Sequence, residues 1–252
     1  MRMDLNCDVG ELPEAIADGS QEAILRQVTS ANIACGGHAG DAQMMRATIE
    51  QALRCGTAIG AHPGYEDRAN FGRIALKLSS EEVAASVYGQ ILALVEIAER
   101  CGARIGHVKP HGALYNQAAR AREIARAIAE GVARWRRDVA LVGLAGSAML
   151  EEFRAAGFAV AAEGFADRKY EADGSLRARK FRDALLHDPA EAAAQALRIT
   201  REGSVVAANG AVIPLKVGTI CIHGDTPGAP QVAAAVRLAL EEAGITVRAL
   251  GG

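Results

Sequence analysis

The chain has 252 residues, 50% hydrophobic and 23% charged, with a formal net charge of −2. That balance is globular and excludes wholesale disorder, while the near-neutral charge leaves no basic face for nucleic acid or an anionic membrane. Aromatic residues are only 4% of the chain, so base stacking is excluded too, and the core is expected to be aliphatic and alanine-rich.

Taken in chain order, short apolar runs alternate with longer segments of helical periodicity. Strands are predicted over Met3–Cys7, Ala31–Cys35 and Thr57–Ala61, with a helix between the last two, capped by Asp41 and stopped at Gly56. A long helix opens at Ser79 or Ser80, followed by Glu81 and Glu82, and stops at Gly102. Strands follow over Arg104–Val108, Val139–Leu144 and Phe158–Glu163. The Arg-rich run 120–137, interleaved with Glu123 and Glu130, reads as the solvated side of a helix. The polar stretch 167–188 reads as a long loop with a turn at Asp173-Gly174. Pro189 suits the first turn of a helix over Ala190–Arg201 that ends at Gly203, and Asn209-Gly210 marks a hairpin within Ser204–Pro214. The strand Gly218–His223, a helix Gln231–Ala243 ending at Gly244 and a short run Ile245–Leu250 complete the chain.

Repeated strand-then-helix units imply a parallel sheet with right-handed crossovers, at roughly 36 residues per unit. An open doubly wound sheet usually shows G-x-G-x-x-G after its first strand. Here that strand leads into Cys7-Asp8-Val9-Gly10-Glu11 instead. A closed (β/α) barrel gathers functional residues from the C-terminal ends of many strands. This pattern fits, so the expectation is an α/β fold: one TIM-like barrel domain over residues 1–252 with about seven parallel strands, filled by aliphatic side chains.

Each predicted strand exit carries polar chemistry. The first delivers Asn6, Asp8 and Glu11, the second His38, the third His62, and the fourth His107, Lys109 and His111 with Tyr115 and Asn116 beyond. The sixth delivers Glu163 and then Arg168, the seventh His223 and Asp225. His38, His62, His111 and His223 each stand within two residues of a glycine, which allows close backbone approach to a ligand. A carboxylate directly after a buried first strand is costly unless used or paired. His187 is read as a surface residue. The cysteines Cys7, Cys35, Cys55, Cys101 and Cys221 are odd in number with no C-x-x-C pair, which suits small buried apolar residues in a reducing cytoplasm. The N-terminus has no signal-peptide run, and no stretch approaches the roughly 18 apolar residues of a membrane span. Ser147 lacks a G-x-S-x-G elbow.

Carboxylates, imidazoles and a lysine in one barrel mouth suit hydrolysis of a carbonyl compound. Asp8 or Glu11 would activate water, and a protonated histidine or Lys109 would stabilise the oxyanion. The rival arrangement is a divalent metal held by Asp8, His38 and His62 with an open position for water, as in a stand-alone amidase or deacetylase. A third possibility is a non-catalytic subunit that binds a small carboxylate.

The segments Asp4–Glu11, Ser30–Asp41, Gly60–Tyr65, His107–Asn116, Glu163–Arg168 and His223–Pro227 resemble the LamB/YcsF family over nearly the whole chain. The chain departs from the family pattern at Gly37, Ala42, Glu66, Asn70 and Ile74 but keeps Phe71-Gly72-Arg73. The resemblance implies a distorted barrel akin to the glycoside hydrolase/deacetylase group. It implies ATP-dependent opening of the 5-oxo-L-proline lactam to L-glutamate, in a complex with 5-oxoprolinase subunits B and C that supply the ATP-driven activation. The catalytic set is then Asp8, Glu11, His38, His62, Lys109 and His111. The substrate-binding set is Asn6, His107, Tyr115, Asn116, Glu163, Arg168, His223 and Asp225, with the loop from Arg168 to Arg179 closing over the substrate carboxylate.

Overall fold

The computed structural model describes residues 1–226 and 228–250; Pro227, the last residue of the final motif, lies outside the described residues. Strand β1 (Arg2–Val9) alternates strictly. Met3, Leu5, Cys7 and Val9 are buried apolar residues, while Asp4, Asn6 and Asp8 are buried polar ones. The two sets point to opposite faces, as the period of two requires, and both faces are covered.

The chain then makes two short helices, α1 (Pro13–Ala17) and α2 (Ser20–Leu25), before β2 (Ser30–Ala34), α3 (Ala42–Cys55) and β3 (Ala58–His62). There follow α4 (Ser80–Arg100), β4 (Ile105–Val108), α5 (Gly112–Ala118), α6 (Arg122–Trp135), β5 (Ala140–Leu144), α7 (Ala148–Ala155) and β6 (Ala159–Phe165). The last elements are α8 (Pro189–Glu202), the antiparallel hairpin β7 (Ser204–Val206) and β8 (Val212–Pro214), β9 (Thr219–His223), α9 (Ala229–Glu242) and β10 (Thr246–Val247). Strands β1 to β6 and β9 pair in parallel, each with its neighbour, and β9 returns to β1 through Asp4↔Thr219 to Asp8↔His223. The result is the expected closed seven-stranded parallel barrel. β10 adds beside the start of β1.

Local chemistry explains the element ends. Asp41 caps α3 by accepting from Met44 N at 2.9 Å. Ser79 and Glu82 form a reciprocal capping box on α4. Strand β6 continues two residues beyond the predicted end because Glu163, Gly164 and Phe165 keep pairing with β9. The short helices α5 and α7 carry too few turns for periodicity to announce them. Helix α6 packs closely on α4 at Gly131, where a Cβ would lie 2.5 Å from the Ala84 carbonyl oxygen.

One expectation is corrected. The aliphatic core lies between barrel and helices, where Leu5, Ile33, Ile91, Leu94 and Ile128 are fully buried. Each such side chain is worth about 1.5–3 kcal/mol. Aliphatic residues do not fill the lumen: Asp4, Asn6, Asp8, Ser30, Asn32, His107, Lys109, Glu163 and Thr219 are buried there in one hydrogen-bonded network. Buried polar groups on this scale persist only because they satisfy one another. Among the described residues, no helix is long and apolar enough to cross a membrane.

Candidate active site

The lumen network ends in a charged pair at the barrel mouth. Lys109 Nζ lies 2.9 Å from both Asp8 Oδ1 and Glu163 Oε1, 3.0 Å from Cys221 Sγ and 3.2 Å from Asn6 Oδ1. Four acceptors surround three ammonium protons, so Lys109 is saturated by the protein. Burial opposes its charge, but Asp8, Cys221 and Glu163 hold its pKa well above the usual lysine value. Burial likewise opposes ionisation of Asp8, yet His62 and Lys109 outweigh it and keep Asp8 well below the usual carboxylate range. Asn32 donates to both Asp8 Oδ1 and Asn6 Oδ1 and accepts from His107 Nε2 at 2.9 Å. Sequence reasoning missed Asn32; a polar residue at an inward position of an otherwise apolar strand was the available signal. Glu163 is completely buried and accepts from Tyr115 Oη at 2.7 Å. Asn6, His107 and Glu163 therefore sit beneath the mouth and act on it through Asp8 and Lys109.

Beside Asp8, three histidines meet Glu11. His38 Nε2 lies 2.9 Å from Glu11 Oε1, and the His38 and His111 rings are stacked at 3.6 Å with 2° between their planes. His62 Nδ1 lies 2.7 Å from the Lys109 carbonyl oxygen, and His111 Nε2 lies 2.9 Å from that of Phe71. A carbonyl only accepts, so both of these nitrogens carry protons. The remaining nitrogens, His62 Nε2 and His111 Nδ1, face each other at 3.0 Å. Burial lowers the His38 pKa to about 4, with help from the charges of His111 and His62. Glu11 is held well below the usual range by hydrogen bonds from His111 and His38, which overcome its burial. The backbone around the cluster leaves no slack: Cβ atoms at Gly64 and Gly72 would lie 2.8 and 2.7 Å from His38. At Gly37, Gln90 fills the space a larger residue would take and clamps the Gly64 backbone through both its N–H and its carbonyl.

A cavity of about 520 Å³ opens onto these groups, and Asp8, His62, Lys109, His111, Tyr115, Asn116, Arg168 and His223 all line it. Among the described residues Glu11 and His38 do not; they stand behind His62 and His111. Asp225 also lies outside the lining and pairs with Arg73 and Arg179, which do line it. Asp167 binds His223 through both its backbone N–H and its ring Nδ1. Arg168 is 6% exposed, and among the described residues its guanidinium donates only to the carbonyls of Arg177 and Ala184. Burial and the neighbouring Arg179 lower its pKa to about 10. The thiol of Cys35 is pushed up to about 12 by burial, so it is no ready nucleophile.

Side chains with the donor types of a metal site fall into two groups. The expected trio is not assembled: His38 and His62 group with Glu11 and His111, whereas Asp8 groups with Cys221 and His223. In the first group the parallel stack of His38 on His111 prevents both rings from directing an in-plane lone pair at one ion. In the second group, the Lys109 ammonium already sits between Asp8 and Cys221.

The comparisons with known proteins agree with this architecture. The family model of LamB/YcsF matches residues 3–252. The chain is 53% identical to the 5-oxoprolinase A subunit of Chloroflexus aggregans over 248 residues, 98% of each chain. It superimposes on the lactam utilization protein of Thermus thermophilus with a TM-score of 0.91 and 45% identity, covering 99% of this chain and 100% of that one. A variant of the peptidoglycan deacetylase PdaC from Bacillus subtilis has the same barrel at 14% identity, with a TM-score of 0.50 over 98% of this chain and 86% of that one. With its motifs at the barrel mouth and a match over nearly its full length, the chain belongs to the LamB/YcsF family.

Proposed function

We propose that this chain is the hydrolytic component of a 5-oxoprolinase. It opens the lactam of 5-oxo-L-proline to L-glutamate, a hydrolysis of a cyclic amide C–N bond, together with subunits B and C and at the expense of ATP. The names of the relatives support the lactam substrate and, because one of them is a lettered subunit, the existence of partner chains. The observation that carries the reading is the division of the cavity between Asp8, His62, Lys109 and His111 on one side and a buried arginine, Arg168, with no carboxylate in ion-pair contact among the described residues on the other.

A buried cation with no carboxylate in direct contact is costly even with Asp167 nearby, and an anionic ligand reduces that cost. In this reading Arg168, which feels the charge of Arg179, takes the substrate carboxylate. Asp8 Oδ2 accepts a proton from the attacking water, and the Lys109 charge offsets the negative charge that develops. A carboxylate as acidic as Asp8 is a weak base. It suits an acyl carbon that has already been activated, which is the reason for ATP and partner chains. A relaxed five-membered lactam has little strain of its own to drive ring opening. The five free cysteines, three of them buried, suit a cytoplasmic setting.

The test is glutamate release from 5-oxoproline by the purified chain, with and without subunits B and C and ATP. Turnover is expected only with all components and is expected to fall at least about 100-fold in Asp8→Asn, in the range of a lost acid–base group. Full activity of the chain alone, without ATP, would overturn the reading.

A further inference from the structure

We propose that His62 Nε2, His111 Nδ1 and Glu11 Oε1 hold one first-row divalent cation, zinc or a close relative, at the barrel mouth, with His38 as a positioning residue for the carboxylate. The site does not rest on the lactam-opening reading above.

The hydrogen bonds leave two bare nitrogens. His62 Nδ1–H and His111 Nε2–H donate to the carbonyls of Lys109 and Phe71. In the neutral rings His62 Nε2 and His111 Nδ1 then carry lone pairs and no proton, and they face each other at 3.0 Å. Two lone pairs at that distance repel unless a cation takes both. Glu11 Oε1 completes a triangle, 3.2 Å from His111 Nδ1 and 3.9 Å from His62 Nε2. The sides of that triangle place one point about 2.0 Å from all three atoms, the length of a bond from zinc to nitrogen or to carboxylate oxygen. A proton would satisfy two of these atoms, whereas a metal ion satisfies three. The His62 and His111 rings are nearly perpendicular, with 88° between their planes, so this pair is free of the parallel stack that removes His38 as a ligand.

The surroundings match what ligands of a metal ion need. Each of the two rings gives its other N–H to a backbone carbonyl, which fixes its tautomer and direction. His38 donates Nε2–H to Glu11 Oε1 at 2.9 Å, which holds that carboxylate and leaves His38 Nδ1 as a buried atom without a partner. Among the described residues no lysine or arginine pairs with Glu11; its charged-pair partners are the rings of His38, His62 and His111. Asp8 Oδ2 adds a second carboxylate oxygen 3.3 Å from His62 Nε2, while Lys109 holds the other oxygen of Asp8. Two imidazoles and a carboxylate suit zinc and its first-row neighbours rather than calcium or magnesium, which take oxygen ligands. His62 and His111 line the cavity, which gives the ion an entry path and an open position. A bound ion there supplies Lewis acidity beside Asp8. The trio expected from the sequence, Asp8, His38 and His62, is thereby replaced by Glu11, His62 and His111.

The experiment is zinc binding by the full chain after a chelator has stripped it of metal. Elemental analysis and calorimetric titration with zinc sulfate are expected to give one zinc per chain with micromolar affinity or better. His62→Ala and His111→Ala are each expected to weaken binding by more than about 100-fold, and His38→Ala, which removes only the partner of a ligand, by about 10–100-fold. A loss in His38→Ala as large as in His62→Ala, with His111→Ala unaffected, would overturn the ligand set. X-ray absorption of the zinc-loaded wild-type chain is the second readout and needs no variant to fold. It is expected to show two imidazole nitrogens and a carboxylate oxygen at about 2.0–2.2 Å. A sulfur ligand at about 2.3 Å, from Cys221, would overturn the assignment, and so would failure of the wild-type chain to retain zinc. If the complex with B and C releases no glutamate, the lactam reading fails, and zinc binding still decides the site.

Discussion

Lys109 Nζ and Asp8 Oδ1 stand 2.9 Å apart, with the two residues 2% and 6% exposed. They hold each other ionised at the end of a polar column that fills one side of the barrel. Removing one partner leaves the other charge buried and uncompensated, at a cost of about 3–5 kcal/mol. Lys109→Met is therefore expected to lower stability by that order in urea unfolding. The double variant that combines Asp8→Asn with Lys109→Met is expected to lose less than the sum of the two single losses. Strict additivity would show that the pair is not coupled.

Stability should fall in mild acid. Burial lowers the pKa of both His38 and His107 to about 4 from an ordinary 6.5, with Lys109 adding to the shift at His107. The unfolded chain takes up these protons first, so the stability from two neutral buried rings is present above pH 6.5 and is lost as pH falls toward 4. At about 1.4 kcal/mol per unit, each ring contributes roughly 3 kcal/mol over that window. Asp8 and Glu11, both held low, add to the acid side: their contribution is present above ordinary carboxylate values and disappears as pH falls through their lowered ones. The urea midpoint is expected to be clearly lower at pH 5 than at pH 7; equal midpoints would refute this account.

Gly60 is tied to His107. A Cβ at Gly60 would lie 2.2 Å from His107 Nε2, the atom that bonds Asn32 Oδ1. Gly60→Ala is expected to push the ring from Asn32, cost about 1–3 kcal/mol as overpacking does, and slow turnover through the loosened Asp8. A crystal structure of the variant with the bond between His107 and Asn32 intact would contradict this.

Arg168 should act on substrate binding. Arg168→Gln is expected to raise KM for 5-oxoproline about tenfold or more, the scale of a lost charged hydrogen bond, with a smaller effect on kcat. A changed kcat at constant KM would move Arg168 out of the carboxylate site.

The sequence was enough for the strand order and the polar exits. In β1 the alternation of Leu5 and Cys7 with Asn6 and Asp8 specifies one face toward the helices and one toward the lumen, because side chains in a strand alternate with a period of two. Asp41, Gly56, Ser79 and Gly203 marked helix ends through cap chemistry that is local by nature. The same residues could not reveal who meets whom. Asp8 pairs with Lys109 over 101 positions, and Glu11 meets His38 and His111 only where three strand exits converge. The lumen's polar filling, the saturation of Lys109 and the stack of His38 on His111 depend on barrel closure and relative ring orientation. Those are properties of packing between distant segments, which no local pattern encodes. Sequence therefore determined the barrel and the residue types at its mouth. Tertiary structure decided which of them reach the cavity and which work from behind it.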